Sequence, residues 1–396
     1  MWRKIKNFYH LFVAVLVNIL FLFPGRWIKV VGVTGTDGKT TTVALIAHIL
    51  EGAGHKTSFI TSIEAVIGER KYETGFHVTT PSSFSLQKYL WRAILKKSEV
   101  FVIEVTSHAI DQHRIWGIPF LVGVLTNVTE EHLDYHKTYD NYLKTKEKLL
   151  KSAKFAVVNR DDASYTLLSE SKNKKDKEHW ITYGFSESSD INLGNFKFNT
   201  RLLGDFNKYN ILAAVATCRT LGVKDGNIKR SIETFNEPKG RLEFVYDKEF
   251  STMIDFAHTP SAFESMLSSL RPLFKGKIIH VFGSAGDRDR AKRPFMGELS
   301  SKYADVVILT SEDPRQEKVQ NIMEEIESGI KKSDATVIKI PDRREAIQAA
   351  IQMAGKGDLV LITGKAHEKS MNLGNGEVPW DEYEVVRNAL KEKYGK

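Results

Sequence analysis

The stretch Lys29-Val30-Val31-Gly32-Val33-Thr34-Gly35-Thr36-Asp37-Gly38-Lys39-Thr40-Thr41 decides the fold. Lys29 to Val33 is apolar and reads as a buried strand; Thr40 to Gly52 reads as the helix that follows. Gly35 and Gly38 let the intervening backbone turn its N–H groups toward phosphate oxygens. Lys39 then reaches the terminal phosphates, and the Thr40 hydroxyl is placed to ligate Mg²⁺. The strict eight-residue phosphate-loop pattern begins with glycine, where Val33 stands here. Strand before and helix after predict nucleotide binding through Gly35, Thr36, Asp37, Gly38, Lys39, Thr40 and Thr41. They do not name a reaction, because a simple nucleotide switch would carry the same loop.

Outward from the loop, short apolar runs alternate with amphipathic stretches. Val100 to Val105, Leu121 to Thr126 and Phe155 to Asn159 read as further strands, and Asn207 to Leu221 as a helix. Asn236-Glu237-Pro238-Lys239-Gly240 breaks the pattern. A second series of strands follows it: Thr252 to Phe256, Ile278 to Phe282, Val306 to Thr310, Thr336 to Ile340 and Leu359 to Thr363. The expected fold class is α/β: a phosphate-loop domain with a mainly parallel sheet, then a smaller Rossmann-like domain, with a cleft between them. The expected divisions are 1–27, an apolar helix and connector; 28–236, the nucleotide domain; and 237–396, the second domain.

Composition agrees with an ordinary globular chain of 396 residues, 42% hydrophobic, without repeats. The polar, lysine-rich Ser169 to Glu178 reads as a solvated loop. Net charge is +8. The basic residues form no dense block and no aromatic-basic RNA motif, so anionic small substrates are expected and nucleic acid is not. The single cysteine, Cys218, excludes an internal disulfide and fits a reducing, cytoplasmic setting. Phe8 to Phe23 is almost wholly apolar and follows Arg3, Lys4 and Lys6. About 16 residues fall short of a bilayer span of roughly 20. A helix packed on the protein, a shallow anchor at the inner face of the membrane, and a true span stay open, His10 and Asn18 favouring the first two.

Two polar segments sit directly after buried strands, where α/β sheets collect ligands. One is Glu104-Val105-Thr106-Ser107-His108-Ala109-Ile110-Asp111-Gln112-His113-Arg114. The other is Thr126-Asn127-Val128-Thr129-Glu130-Glu131-His132-Leu133-Asp134-Tyr135-His136. With the glycine-lysine loop and Thr79-Thr80-Pro81, they resemble the Mur ligases, most nearly the tripeptide synthetases of that family. The resemblance runs in order from about Val30 to Asn388.

That resemblance implies an ATP-dependent amide ligase of peptidoglycan synthesis. Lys39 and Thr40 would hold ATP phosphate and Mg²⁺, and Glu104 and His132 would complete metal coordination. Thr79, Thr80, Thr106, Gln112 and Arg114 would contact a muramyl-dipeptide acceptor. Lys146 matches a lysine that is carbamylated in the family; taken alone it is one of four lysines between Lys144 and Lys151, and a solvated helix face is the plainer reading. Arg241, in Lys239-Gly240-Arg241, and Asp255 and His258, in Asp255-Phe256-Ala257-His258, match segments that close over the nucleotide. Arg288, Glu312, Asp313, Pro314, Arg315, Gly364 and Glu368 match the amino-acid pocket. There the arginines suit carboxylates and Glu368 an ammonium. The Asp313-Pro314-Arg315 element resembles that of enzymes adding meso-diaminopimelate rather than lysine.

The sequence departs from the family at Asp37 (usually asparagine), Thr106 (serine), Glu312-Asp313 (aspartate-asparagine) and Ala366 (glycine). The family also begins with a uridine-binding domain, whereas about 28 residues precede the phosphate-loop strand here. Three expectations follow: the muramyl-peptide is bound alone, a partner supplies uridine recognition, or the acceptor is lipid-linked or otherwise altered. Two rival readings are a folylpolyglutamate-type ligase and a non-catalytic nucleotide-binding scaffold for cell-wall machinery. Thr79-Thr80-Pro81 and Gln112-His113-Arg114 speak against the first. The joint presence of Lys39, Glu104, His132, Lys146 and Arg241 speaks against the second.

Overall fold

A computed structural model describes residues 2–73, 79–170, 179–331 and 335–395. Most of the expected loop Ser169 to Glu178 lies outside these residues. Two compact units divide the chain, one of 1–202 with 206–236, the other of 203–205 with 237–396.

The first unit carries strands β1 (Lys29–Thr34), β2 (Thr57–Ile60), β3 (Glu64–Ile67), β4 (Arg70–Glu73), β5 (Val100–Glu104), β6 (Phe120–Leu125), β7 (Phe155–Asn159) and β8 (Trp180–Tyr183). Among the described residues they form one sheet of order β4-β3-β2-β5-β1-β6-β7-β8. From β2 to β8 neighbours run parallel; β3 and β4 add on antiparallel. Both faces are covered, so the central strands are apolar at nearly every position rather than alternating. Val31 and Val33 join a core with Leu45, Ile49, Ile211 and Val215. Val30, Phe101 and Ile103 point the other way, to Leu86, Leu90 and Leu149.

Helix α1 (Trp2–Leu20) packs against α3 (Ser83–Leu95), while α2 (Lys39–Gly52) leaves the end of β1. Among the described residues no helix is long and apolar enough to cross a membrane, which removes the spanning reading of Phe8 to Phe23. In register, Val33 pairs with Glu104 of β5 and Thr34 with Leu125 of β6. The carboxyl ends of three adjacent strands thus open at one place, the point where the strand order reverses.

The second unit holds β9 (Glu243–Asp247), β10 (Ser251–Asp255), β11 (Ile278–Phe282), β12 (Val306–Leu309), β13 (Thr336–Lys339) and β14 (Leu359–Thr363). Their order is β13-β12-β11-β14-β10-β9, parallel except for β9. Its helix Arg343–Met353 is fixed by a fully buried ion pair. Arg343 donates to both carboxylate oxygens of Glu382, at 3.0 and 2.5 Å, and to the Thr363 carbonyl at 2.7 Å.

Candidate active site

The loop after β1 is built by close approach. A Cβ on Gly35 would lie 1.7 Å from Thr126 Oγ1, and Gly38, at φ 80°, has room for none beside Asn210 Oδ1, 2.2 Å away. Only glycine meets both demands. Neighbouring strand ends hold the loop: Asp37 N–H donates to Asn127 Oδ1 at 2.9 Å, and Thr126 Oγ1 donates to the Asp37 carbonyl at 2.6 Å. Thr36 N–H donates to the Asn127 carbonyl, and its hydroxyl accepts from Thr129 N–H.

Lys39 Nζ folds back onto the loop, 2.7 Å from the Thr36 carbonyl and 3.1 Å from that of Gly35. Thr40 Oγ1 donates to Glu104 Oε2 at 2.9 Å, and Ser62 N–H donates to the same oxygen at 2.9 Å. Thr41 is buried in the first turn of α2. Helix α4 (Ser107–Asp111) follows β5, α5 (Leu133–His136) follows β6, and α6 (Tyr139–Ser152) crosses beside the loop.

Lys146, on α6, is almost wholly buried, and its Nζ sits 2.6 Å from the Gly35 carbonyl and 4.4 Å from the centre of the Tyr142 ring. Burial, then the nearby Lys39 charge, holds the Lys146 ammonium well below its ordinary pKa. The amine is therefore biased toward its neutral, nucleophilic form.

His132 heads α5 in the left-handed region, at φ 56°. Its ring packs edge-on to His108 at 5.0 Å and lies 3.9 Å from Glu131 Oε2. His136 Nε2 meets Ser107 Oγ at 3.0 Å. Among the described residues no three His, Cys, Asp or Glu side chains converge as a ready-made metal centre. The Thr40 hydroxyl and the buried Glu104 carboxylate are nonetheless oxygen ligands of the kind Mg²⁺ takes, an ion that keeps waters and needs few protein ligands when phosphates are present.

The residues expected to contact an acceptor form a second cluster on the same strand end. Thr80 Oγ1 donates to the Glu104 carbonyl at 3.0 Å and lies 3.3 Å from Thr106 Oγ1. Thr106 also caps α4, accepting from Ala109 N–H. Arg114 donates to the Thr80 carbonyl at 2.7 Å and through two nitrogens to Gln112 Oε1 at 3.0 and 2.7 Å. Thr79 is half-buried beside them. The structure thus brings Thr80, Thr106, Gln112 and Arg114 together.

In the second unit, Asp255 ends β10 and accepts from Leu242 N–H at 2.7 Å and Ala257 N–H at 2.6 Å, which ties the segment after Arg241 to the sheet. Burial raises its pKa against the pull of Arg241. The Arg241 guanidinium stacks over Phe256 at 4.9 Å. His258 Nδ1 meets the Phe256 carbonyl at 2.8 Å.

The residues expected to line an amino-acid pocket divide. Gly286 N–H donates to the Asp313 carbonyl at 2.8 Å, and Arg315 Nη1 donates to the Gly286 carbonyl at 3.2 Å. The Pro314 carbonyl approaches Gly286 too closely for any Cβ there, and Gly364, at φ 106°, similarly admits Glu312 Oε2. Glu312 is buried, which pushes its carboxyl up. Arg288 is exposed, apart from these contacts. Glu368, expected to face a substrate ammonium, meets Lys365 Nζ at 2.5 Å, and the same ammonium reaches Asp313 Oδ1 at 3.0 Å.

Sequence reasoning did not single out Ser62, Asn210, Tyr142 or His367 as site residues. Asn210 sits on a helix whose buried residues are mostly apolar, Asn207 and Thr217 being the other polar ones. His367 is buried against Phe256, with its pKa lowered to about 3 by burial and then by Arg241.

Comparison with known proteins bears on both units. The Mur ligase middle domain matches residues 33–218, and the Mur ligase, glutamate ligase domain matches residues 240–366. The chain is 36% identical over 393 residues to UDP-N-acetylmuramoyl-L-alanyl-D-glutamate--2,6-diaminopimelate ligase 1 of Clostridium acetobutylicum, covering 94% of this chain and 80% of that one. A solved UDP-N-acetylmuramoyl-L-alanyl-D-glutamate--2,6-diaminopimelate ligase superposes with a TM-score of 0.61 at 29% identity, over 93% of this chain and 79% of that one. Folylpolyglutamate synthase of Mycobacterium tuberculosis, complexed with ADP, superposes at 0.71 over 90% of this chain and 92% of that one. At 16% identity it shares the fold alone.

Proposed function

The chain belongs to the Mur ligase family, and from that premise we propose that it joins 2,6-diaminopimelate to UDP-N-acetylmuramoyl-L-alanyl-D-glutamate at the expense of ATP. The observation that carries the reading is the phosphate loop with Lys39, Lys146 and the Thr40–Glu104 pair gathered on it, in a chain 36% identical to a diaminopimelate ligase. The cytoplasm, where ATP is plentiful, is the proposed setting.

The acceptor carboxylate attacks the γ-phosphorus of ATP, its oxygen forming the new P–O bond as ADP leaves. The amine of diaminopimelate then attacks the acyl carbon, phosphate leaves with the former carboxylate oxygen, and the amine loses a proton. A carboxylate oxygen is a poor leaving group and phosphate a good one, so activation must come first. Positioning and charge neutralisation are the protein's share. Lys39 turns from its loop carbonyls toward phosphate oxygens. Thr40 and Glu104, with His132 as the expected third group, would hold Mg²⁺, which would supply positive charge to the phosphates.

Lys146 acts after modification. Its neutral amine adds to CO₂, forming an N–C bond and releasing a proton, and the resulting carbamate is an anion beside Lys39. Thr79, Thr80, Thr106, Gln112 and Arg114 hold the acceptor. Arg241, Asp255 and His258 handle the nucleotide. Arg288, Arg315 and the Glu312–Asp313–Pro314 segment, with Gly364 and Glu368, select the amino acid.

Oxygen-18 in the acceptor carboxylate tests the route. One labelled oxygen is expected in the released phosphate for each amide formed; unlabelled phosphate would exclude the acyl phosphate.

A further inference from the structure

Helix α1 spends its polar residues on the protein. Asn7 Nδ2 donates to Asp111 Oδ2 at 3.0 Å, and Asn18 Nδ2 donates to the Ala14 and Trp116 carbonyls, both at 2.9 Å. Ala14 and Val17 are buried, and Trp91 Nε1 donates to the Phe21 carbonyl at 2.7 Å. The opposite face carries Phe8, Tyr9, Phe12, Leu16, Ile19 and Leu20, each at least half exposed. Three- and four-residue spacing puts them on one stripe, where a water-facing helix would show charges. Leu22 and Trp27, at 69% and 73% exposure, continue it. An exposed apolar patch of this extent marks an interaction surface.

We infer that this stripe docks the protein on an anionic lipid bilayer, with α1 lying in the plane of the interface. Charge selects the occupant. Residues 1–36 contain Arg3, Lys4, Lys6, Arg26 and Lys29 and no Asp or Glu, so five positive charges of a net +8 fall in this segment. Lys6 lies exposed just before the stripe, and Arg26 and Lys29 lie exposed just after it. Basic residues rimming an exposed apolar helix face match the headgroups above an acyl boundary. Tyr9 and Trp27 add the amphipathic rings favoured at that depth. A second copy of the chain would bring the same positive flank against itself, and like charges disfavour that pairing. The helix does not cross the bilayer.

Co-sedimentation of the full chain with vesicles tests this without turnover, so it stands apart from the ligase assignment. Binding is expected to phosphatidylcholine–phosphatidylglycerol vesicles, to weaken with salt, and to be far lower on phosphatidylcholine alone. The combined Phe8→Ser, Phe12→Ser, Leu16→Ser variant is expected to bind at least about tenfold more weakly while retaining ADP binding, since the three side chains face outward. Lys6→Glu with Lys29→Glu, which leaves the apolar stripe intact, is expected to abolish the preference for anionic vesicles. Failure to sediment with either vesicle, or equal sedimentation of the serine variant, overturns the inference. A concentration-dependent dimer lost in the serine variant would then identify a second copy as the occupant.

Discussion

Lys146 Nζ lies 2.6 Å from the Gly35 carbonyl oxygen, the same oxygen that Lys39 Nζ contacts at 3.1 Å. Lys146 is enclosed, and burial, followed by the neighbouring Lys39 charge, holds its ammonium well below the ordinary lysine pKa. A carbamate at Lys146 would place an anion beside the Lys39 ammonium. In ¹³C-bicarbonate the protein should show a carbamate carbon resonance that Lys146→Arg lacks. That variant should lose activity on the order of 100-fold in kcat. No resonance together with an active Lys146→Arg enzyme would remove Lys146 from the chemistry.

Gly35 offers a sharper test of the loop. Gly35→Ala drives a methyl group toward Thr126 Oγ1, so the loop must move off the strand end. Calorimetry should show ADP binding weakened by at least about tenfold.

Arg114 separates acceptor binding from nucleotide binding. Its guanidinium bridges Gln112 and the Thr80 carbonyl, a geometry an ammonium does not reproduce. Arg114→Lys should raise the acceptor KM by about tenfold, leaving ADP affinity unchanged. Equal losses in both would mean the residue supports the whole unit.

His280 makes the second unit sensitive to acid. It is fully buried, with Nδ1 2.8 Å from Ser300 Oγ and Nε2 3.0 Å from Thr363 Oγ1. Burial lowers its pKa to about 3. The folded value lies below the unfolded one, so the unfolded state binds more protons between the two. The neutral-histidine contribution is therefore complete above about pH 6.5 and is lost as pH falls toward 3, by up to about 1.4 kcal/mol per pH unit. Denaturant unfolding at pH 7 and 5 should show this fall, and His280→Gln should flatten it.

Much of this was legible because parallel strands buried on both faces leave continuous apolar runs. Ile278 to Phe282 and Leu359 to Thr363 match the structure residue for residue. Thr57–Ile60, Glu64–Ile67 and Arg70–Glu73 escaped notice; each is four residues long, and the outer two pairings are antiparallel, with charged residues among them. The phosphate loop announced itself by glycine spacing, whereas its supports at Ser62 and Asn210 are distant in sequence and carry no local pattern. Lys146 was indistinguishable from its neighbours until α6 turned it inward while Lys144, Lys148 and Lys151 faced solvent. At Glu368 no local pattern signalled the contact with Lys365, which the turn after β14 brings within reach.

The most direct test of the ligase assignment is phosphate release from ATP by the purified protein with UDP-N-acetylmuramoyl-L-alanyl-D-glutamate, in the presence of diaminopimelate, lysine or no amino acid. Release that requires both the acceptor and diaminopimelate is the expected result. Release that lysine supports equally, or that proceeds without the acceptor, would contradict it.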